Sequence, residues 1–196
     1  MKKTNFRNWK IGLALILGAI GSQLGIAASH ANLNYTSFRQ WCEAKESLPE
    51  ETRYTVEVLL KSIRTEDCYD ANIKLSILNN LLGLSLLDNQ VSDLTPLASL
   101  IQLDSLDLSN NQIEDVSLLA NMSRLQFLEL QDNRIQDVSP LAQLVDIRII
   151  NLDDNQIQDA TSLGVFQNRE SVCLRGNPLT PTSASLQFSC GELYEH

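Results

Sequence analysis

A right-handed α/β solenoid, built from one short strand and one compact return per coil, is the fold class that this 196-residue sequence predicts. Three observations predict it. The first is a 22-residue period, with four consecutive copies starting at Leu81, Leu103, Leu125 and Ile147. Positions one, four and six of each copy are apolar (Leu81/Leu84/Leu86, Leu103/Leu106/Leu108, Leu125/Leu128/Leu130, Ile147/Ile150/Leu152), and position nine is always asparagine. The second is an apolar pair that recurs later in each copy, at positions 17 and 20: Leu97/Leu100, Leu119/Met122, Leu141/Leu144 and Leu163/Phe166. The third is the placement of the cysteines, Cys42 and Cys68 before the repeats and Cys173 and Cys190 at their end. A unit this short cannot bury its own apolar face, so successive units must stack on one another, and the exposed core at each end of the stack needs a cap.

Taken in order, residues 1–31 predict a secretory signal peptide. Lys2, Lys3, Arg7 and Lys10 form a basic start, Ile11 to Ile20 an apolar stretch, and Ala27, Ala28, Ser29 and Ala31 offer small residues for cleavage. The competing expectation is an uncleaved anchor, because Ile11 to Ala28 spans 18 residues, at the lower limit for crossing a bilayer. Residues 32–68 predict a helical N-terminal cap. Ser37 and Gln40 form a capping box that opens one short helix, and Pro49, Glu50 and Glu51 open a second that runs to about Arg64. Tyr54, Val58, Leu59 and Ile63 are expected on its apolar side. Four cysteines allow three pairings; the export route and the need to staple both ends favour Cys42 with Cys68 and Cys173 with Cys190.

Residues 69–180 hold the array. Leu75 and Leu78 stand 22 residues before Leu97 and Leu100, so 69–80 reads as the second half of a coil, followed by four full coils. Positions four and six alternate onto one face of a strand and form the core, while positions three, five and seven face outward on a concave parallel sheet. The asparagines Asn89, Asn111, Asn133, Asn155 and Asn177 are read as a buried ladder, each amide using both donor and acceptor on backbone groups. Pro96 and Pro140 suit a 3₁₀ or extended return better than a full helix. Val172, Leu174, Asn177 and Leu179 continue the register into a fifth strand, after which Pro178 and Pro181 stop it and 181–196 forms a C-terminal cap or tail.

The pattern L-x-x-L-x-L-x-x-N-x-I/V resembles the 22-residue leucine-rich repeats of bacterial internalin-type proteins. More particularly, it is similar to secreted, cyanobacterial-type versions with a cysteine-bearing helical cap. That resemblance covers about residues 69–180 and implies a bacterial binding protein, with adhesion or surface recognition as one use.

For function the sequence excludes more than it selects. The leader holds four of the 15 basic residues and none of the 24 acidic ones, so 11 basic side chains face 24 acidic ones after cleavage, a formal charge of −13. Nucleic acid is not expected as a partner. The only histidines are His30 and His196, leaving the body without imidazole, and no nucleophile motif is present; no enzyme activity and no cofactor are expected. Without C-x₂-C spacing no zinc site is expected. Asp107 and Glu129, both at position five of adjacent strands, keep a carboxylate-based hydrolase open as an alternative, and with Asp132 and Asp154 they are the candidate oxygen ligands for Ca²⁺. The recurring Asp93, Asp115, Asp137 and Asp159 are read as turn formers.

A binding site is expected where the repeats differ. Position three runs Gly83, Ser105, Phe127, Ile149, Ser171, which places an exposed aromatic and an exposed aliphatic side chain together, ringed by Asp107, Glu129, Gln131, Arg148, Asn151 and Asp153. An apolar anchor within a polar ring is the anatomy of a protein-binding hot spot. The expectation is an exported, secreted, periplasmic or surface-held monomer that recognises a protein or peptide on its concave face, with no membrane contact beyond the export signal. The alternative is a structural envelope protein without a dedicated ligand.

Overall fold

The computed structural model describes residues 35–81, 83–166, 171–186, 188 and 190. The leader, its cleavage site and the anchor alternative lie outside these residues. Among the described residues no helix is long and apolar enough to cross a membrane.

Five short strands, β1 (Leu84–Ser85), β2 (Ser105–Asp107), β3 (Phe127–Glu129), β4 (Ile149–Asn151) and β5 (Ser171–Cys173), form one parallel sheet in sequence order. Each residue pairs with the one 22 positions on, as in Leu84↔Leu106, Leu106↔Leu128, Leu128↔Ile150 and Ile150↔Val172. The repeat register of the sequence is therefore the pairing register of the sheet. Leu106, Leu128 and Ile150 have no exposed surface. The returns are 3₁₀ segments at Thr95–Leu97, Ser117–Asn121, Ser139–Gln143 and Thr161–Phe166, and their leucines at position 17 are fully buried. Pro96 and Pro140 sit within the first and third of these segments, where a missing N–H costs nothing.

Three recurring devices shape and join the coils. Asn133 donates from Nδ2 to the Leu108 and Leu130 carbonyls at 3.0 Å and to Gln131 at 3.3 Å, while its Oδ1 accepts from the Ile113 amide at 3.0 Å. Asn111 in the coil before, and Asn155 and Asn177 in the two coils after, repeat the arrangement. Asn89, with no coil before it to bind, keeps a short-range bond to the Leu87 carbonyl. At position 13, Asp93, Asp115, Asp137 and Asp159 each accept from the amide two residues on, at 2.8 to 2.9 Å, and so turn the chain into its return.

Position eight is the third device. Asp88, Asn110, Asp132, Asp154 and Gly176 all have positive φ, between 52° and 72°. Asp and Asn tolerate this left-handed conformation better than other residues with a Cβ, and glycine adopts it freely. At Gly176 an added Cβ would also collide with Asp154 Oδ1. Gly176→Ala is expected to cost about 1 to 2 kcal/mol, read as a lower urea midpoint at unchanged slope.

The cap differs from its expected form in two places. Helix α1 (Phe38–Glu43) opens on the Ser37/Gln40 capping box, and α2 (Glu50–Ser62) follows Pro49. The buried face of α2 is Thr52, Thr55, Val56, Leu59 and Leu60, with Val58 at its edge. Tyr54, expected on that side, is 41% exposed because it falls off the i, i+3, i+4, i+7 stripe that these residues define. Residues 69–80, read as a half coil, belong instead to a 14-residue helix α3 (Cys68–Leu81). Leu75 is buried and Leu78 half-buried, as the register requires, but Ala71, Leu75 and Leu78 also fit a helical period, and no proline interrupts it. Asp67 starts the helix by accepting the Asp70 amide at 2.7 Å.

Cys42 of α1 is bonded to Cys68 at the start of α3. Helix α2 lies against the first return, where the Thr52 hydroxyl donates to the Asp93 carboxylate and the Thr55 hydroxyl donates to the Asp93 carbonyl at 2.8 Å. The same aspartate thus turns the first coil and receives the cap. At the far end, helix α4 (Pro181–Ala184) docks through buried Ser183, whose Oγ accepts from the Ala160 amide at 2.9 Å and donates to Asp159 at 3.2 Å.

Candidate functional site

The concave face is where the coils differ. Position five forms a row in register across the sheet: Ser85, Asp107, Glu129, Asn151 and Cys173. Position three puts Ser105, Phe127 and Ile149 side by side. Phe127 is 39% exposed and Arg148 is exposed, while Asp107, Glu129, Gln131 and Asp153 are half-buried. Phe127, Asp107, Glu129, Gln131 and Asp153 occupy the outward positions three, five and seven, whereas Arg148 stands at position two, just before β4.

Two expected members of the site are not exposed. Ile149 retains 6% and Asn151 8% of its surface, so Phe127 has no exposed aliphatic neighbour on β4. The register is correct at both, since their side chains point away from Ile150 and the core. On the neighbouring strand Cys173, in the same row as Asn151, is bonded to Cys190. Gln131, expected to be exposed, is half-buried, and its Oε1 is shielded without a hydrogen-bond partner.

The carboxylates have distinct employments. Asp107 accepts from the Ser85 hydroxyl at 2.9 Å and from both the amide and the hydroxyl of Ser109. It stands opposite Glu129 across a strand pair, yet its oxygens are committed to neighbouring groups, an arrangement suited to bracing a strand rather than attacking a bond. Asp153 accepts from the Arg175 amide at 2.7 Å; burial nevertheless pushes its carboxyl above the ordinary range. Asp132 and Asp154, candidate Ca²⁺ ligands by sequence, are accounted for by the left-handed backbone at position eight. That conformation was readable in the restriction of position eight to Asp, Asn and Gly. Among the described residues no group of three or more acidic, histidine or cysteine side chains converges to hold a metal.

The turn aspartates carry a pH signature. The Ser139 hydroxyl, then its amide, holds the Asp137 carboxyl below the ordinary range, and Thr161 acts likewise on Asp159. A folded pKa below the unfolded one contributes stability that is present above the unfolded value and is lost as pH falls through the folded one. The thermal midpoint is therefore expected to drop on acidification below about pH 4. In Asp137→Asn, which keeps an acceptor but no charge, the decline should be shallower.

A family model described as leucine-rich repeats, two copies, matches residues 123–164. Among solved structures, internalin C2 of Listeria monocytogenes is 35% identical, with a TM-score of 0.52, over 58% of this chain and 51% of that one. A second internalin of the same organism, inlF, is 24% identical with a TM-score of 0.54, over 62% of this chain and 36% of that one, which bears on the fold alone. The chain thus spans about half the length of the first and about a third of the second. No curated protein matches. Stacked 22-residue coils with an asparagine ladder, behind a disulfide-closed helical N-terminus, make this chain a leucine-rich-repeat solenoid with a cysteine-bearing cap, similar in its array to the bacterial internalins.

Proposed function

We propose that the chain is an exported, non-enzymatic binding module that takes a protein or peptide on its concave face. The observation that carries this reading is Phe127, 39% exposed in the middle of the sheet, where every other strand carries a small or covered residue at position three among those described. Around it Asp107, Glu129 and Asp153 supply negative charge. An aromatic anchor set among acceptors fits a polypeptide segment that offers an apolar side chain flanked by donors, lysine or arginine above all. Leucine-rich-repeat proteins like the internalins are typically protein-binding modules, which favours this use of the face. Disulfides at both ends suit an oxidising, extracellular setting.

Affinity capture from the surrounding medium, run in parallel with wild-type protein and Phe127→Asp, tests the proposal. A polypeptide retained by the first and lost from the second, at a temperature where both proteins are fully folded, is the expected result. Equal retention would remove the concave face from the account and leave an envelope protein without a dedicated ligand as the better description.

A further inference from the structure

The cap carries six cationic side chains, Arg39, Lys45, Arg53, Lys61, Arg64 and Lys74, and they divide by partner. Arg39, Arg53 and Lys74 each face a carboxylate four residues away on their own helix: Glu43, Glu57 and Asp70. Lys45, Lys61 and Arg64 have no ion pair and no side-chain hydrogen bond among the described residues, and all three line one cleft of about 550 Å³. Buried Leu60 gives that cleft an apolar wall. Its two carboxylates are Glu57, already facing Arg53 at 4.0 Å, and Glu66. Three cations against the one remaining carboxylate leave a surplus of two positive charges, in a chain whose formal charge is −9.

The backbone holds one of these cations under strain. Helix α2 ends in a Schellman motif, in which the Thr65 amide bonds to the Leu60 carbonyl at 3.2 Å and the Arg64 amide to the Lys61 carbonyl at 3.1 Å. The residue after the C-cap Ile63 must then be left-handed, and Arg64 has φ 54°. Glycine takes that position freely, whereas a residue with a Cβ and a long side chain does not. Cations near a helix C-terminus offset its dipole, which suits Lys61 and Arg64. The dipole does not explain Lys45, half-buried on the separate 3₁₀ turn Lys45–Ser47, nor an arginine where glycine would relieve the strain.

We propose that this cleft binds a phosphate monoester of about the size of a sugar phosphate, gripped by Lys45, Lys61 and Arg64. A monoester carries about −1.5 to −2 charge near neutral pH, which matches the surplus. The guanidinium bonds two of its oxygens as a fork, and the ammonium groups meet the others as point charges. Small-molecule sites usually enclose about 300 to 1,000 Å³, and a bare phosphate would leave most of this cleft unfilled, so the rest of the ligand lies against Leu60. No repeat residue lines the cleft, so the proposal stands apart from the concave-face reading.

The protein with both disulfides formed is titrated with glucose 6-phosphate while backbone amide NMR signals are followed, with glucose and with sodium chloride of equal ionic strength as controls. The Lys45 and Arg64 amides are expected to shift, to saturate below about 10 mM ester, and to respond to neither control. Arg64→Gly should weaken binding about tenfold or more and raise the thermal midpoint by about 2 to 4 °C, because it removes a phosphate contact and the strain together. Lys45→Gln should weaken binding by a similar factor at an unchanged midpoint. Vesicles of phosphatidylcholine with phosphatidic acid present the same group on a lipid. Sedimentation of the wild-type chain with them but not of Arg64→Gly, without a response to the free ester, would keep the site and place its ligand on a membrane. Shifts that never saturate, together with no sedimentation, would overturn the proposal, as would undiminished binding by Arg64→Gly. A lowered midpoint in Arg64→Gly would overturn it too, by showing that the arginine serves the helix end.

Discussion

Asn133→Ala is expected to lower the unfolding free energy by about 2 to 5 kcal/mol, whereas Gln131→Ala, two residues away, should change it by about 0.5 kcal/mol or less. Asn133 is 7% exposed and serves four backbone groups in two coils. Its removal leaves the Ile113 amide without an acceptor in the interior, and a buried unpaired donor costs about 1 to 3 kcal/mol on its own. Gln131 has the opposite standing: its side-chain oxygen has no partner to lose among the described residues. Urea midpoints of the two variants at equal slope decide the matter. Equal midpoints would mean that the ladder contributes no more than an ordinary surface amide.

The second large effect comes from neighbours that point in opposite directions. Leu128→Ala should cost about 2 to 5 kcal/mol, since the side chain is fully buried between Leu106 and Ile150 and its truncation leaves a cavity. Phe127→Asp, on the same three-residue strand, should cost about 1 kcal/mol, the scale of strand propensity for an exposed site. Thermal unfolding of the two proteins reads the contrast. A large loss in Phe127→Asp would show that the aromatic is structural and would leave the concave face without its anchor.

Everything periodic was legible in the sequence, because a repeat states its contacts once per coil. The leucines at positions four and six, the asparagine ladder, the aspartate turns and the 3₁₀ returns all follow from a unit that must satisfy its backbone and bury its apolar side against a copy of itself. Position eight carried its message as well, in a choice limited to Asp, Asn and Gly, although that choice also resembles a set of metal ligands. Aperiodic contacts were not legible. Nothing in the pattern around Ile149 or Asn151 distinguishes them from the exposed or half-buried residues at the same positions of earlier coils, so both were expected in solvent. The helix at α3 was obscured for a related reason: the leucine spacing of a return and of a helix coincide at Leu75 and Leu78, and only the uninterrupted chain around them selects the helix.

The central claim, that the concave face receives a polypeptide partner, is tested most directly by site-specific photo-crosslinking. A benzophenone amino acid replaces Phe127 in one protein and Val165, 63% exposed on the return side, in another. The account predicts a crosslinked polypeptide from position 127 and none from position 165; adducts from 165 with none from 127 would contradict it and move the partner to the other side of the solenoid.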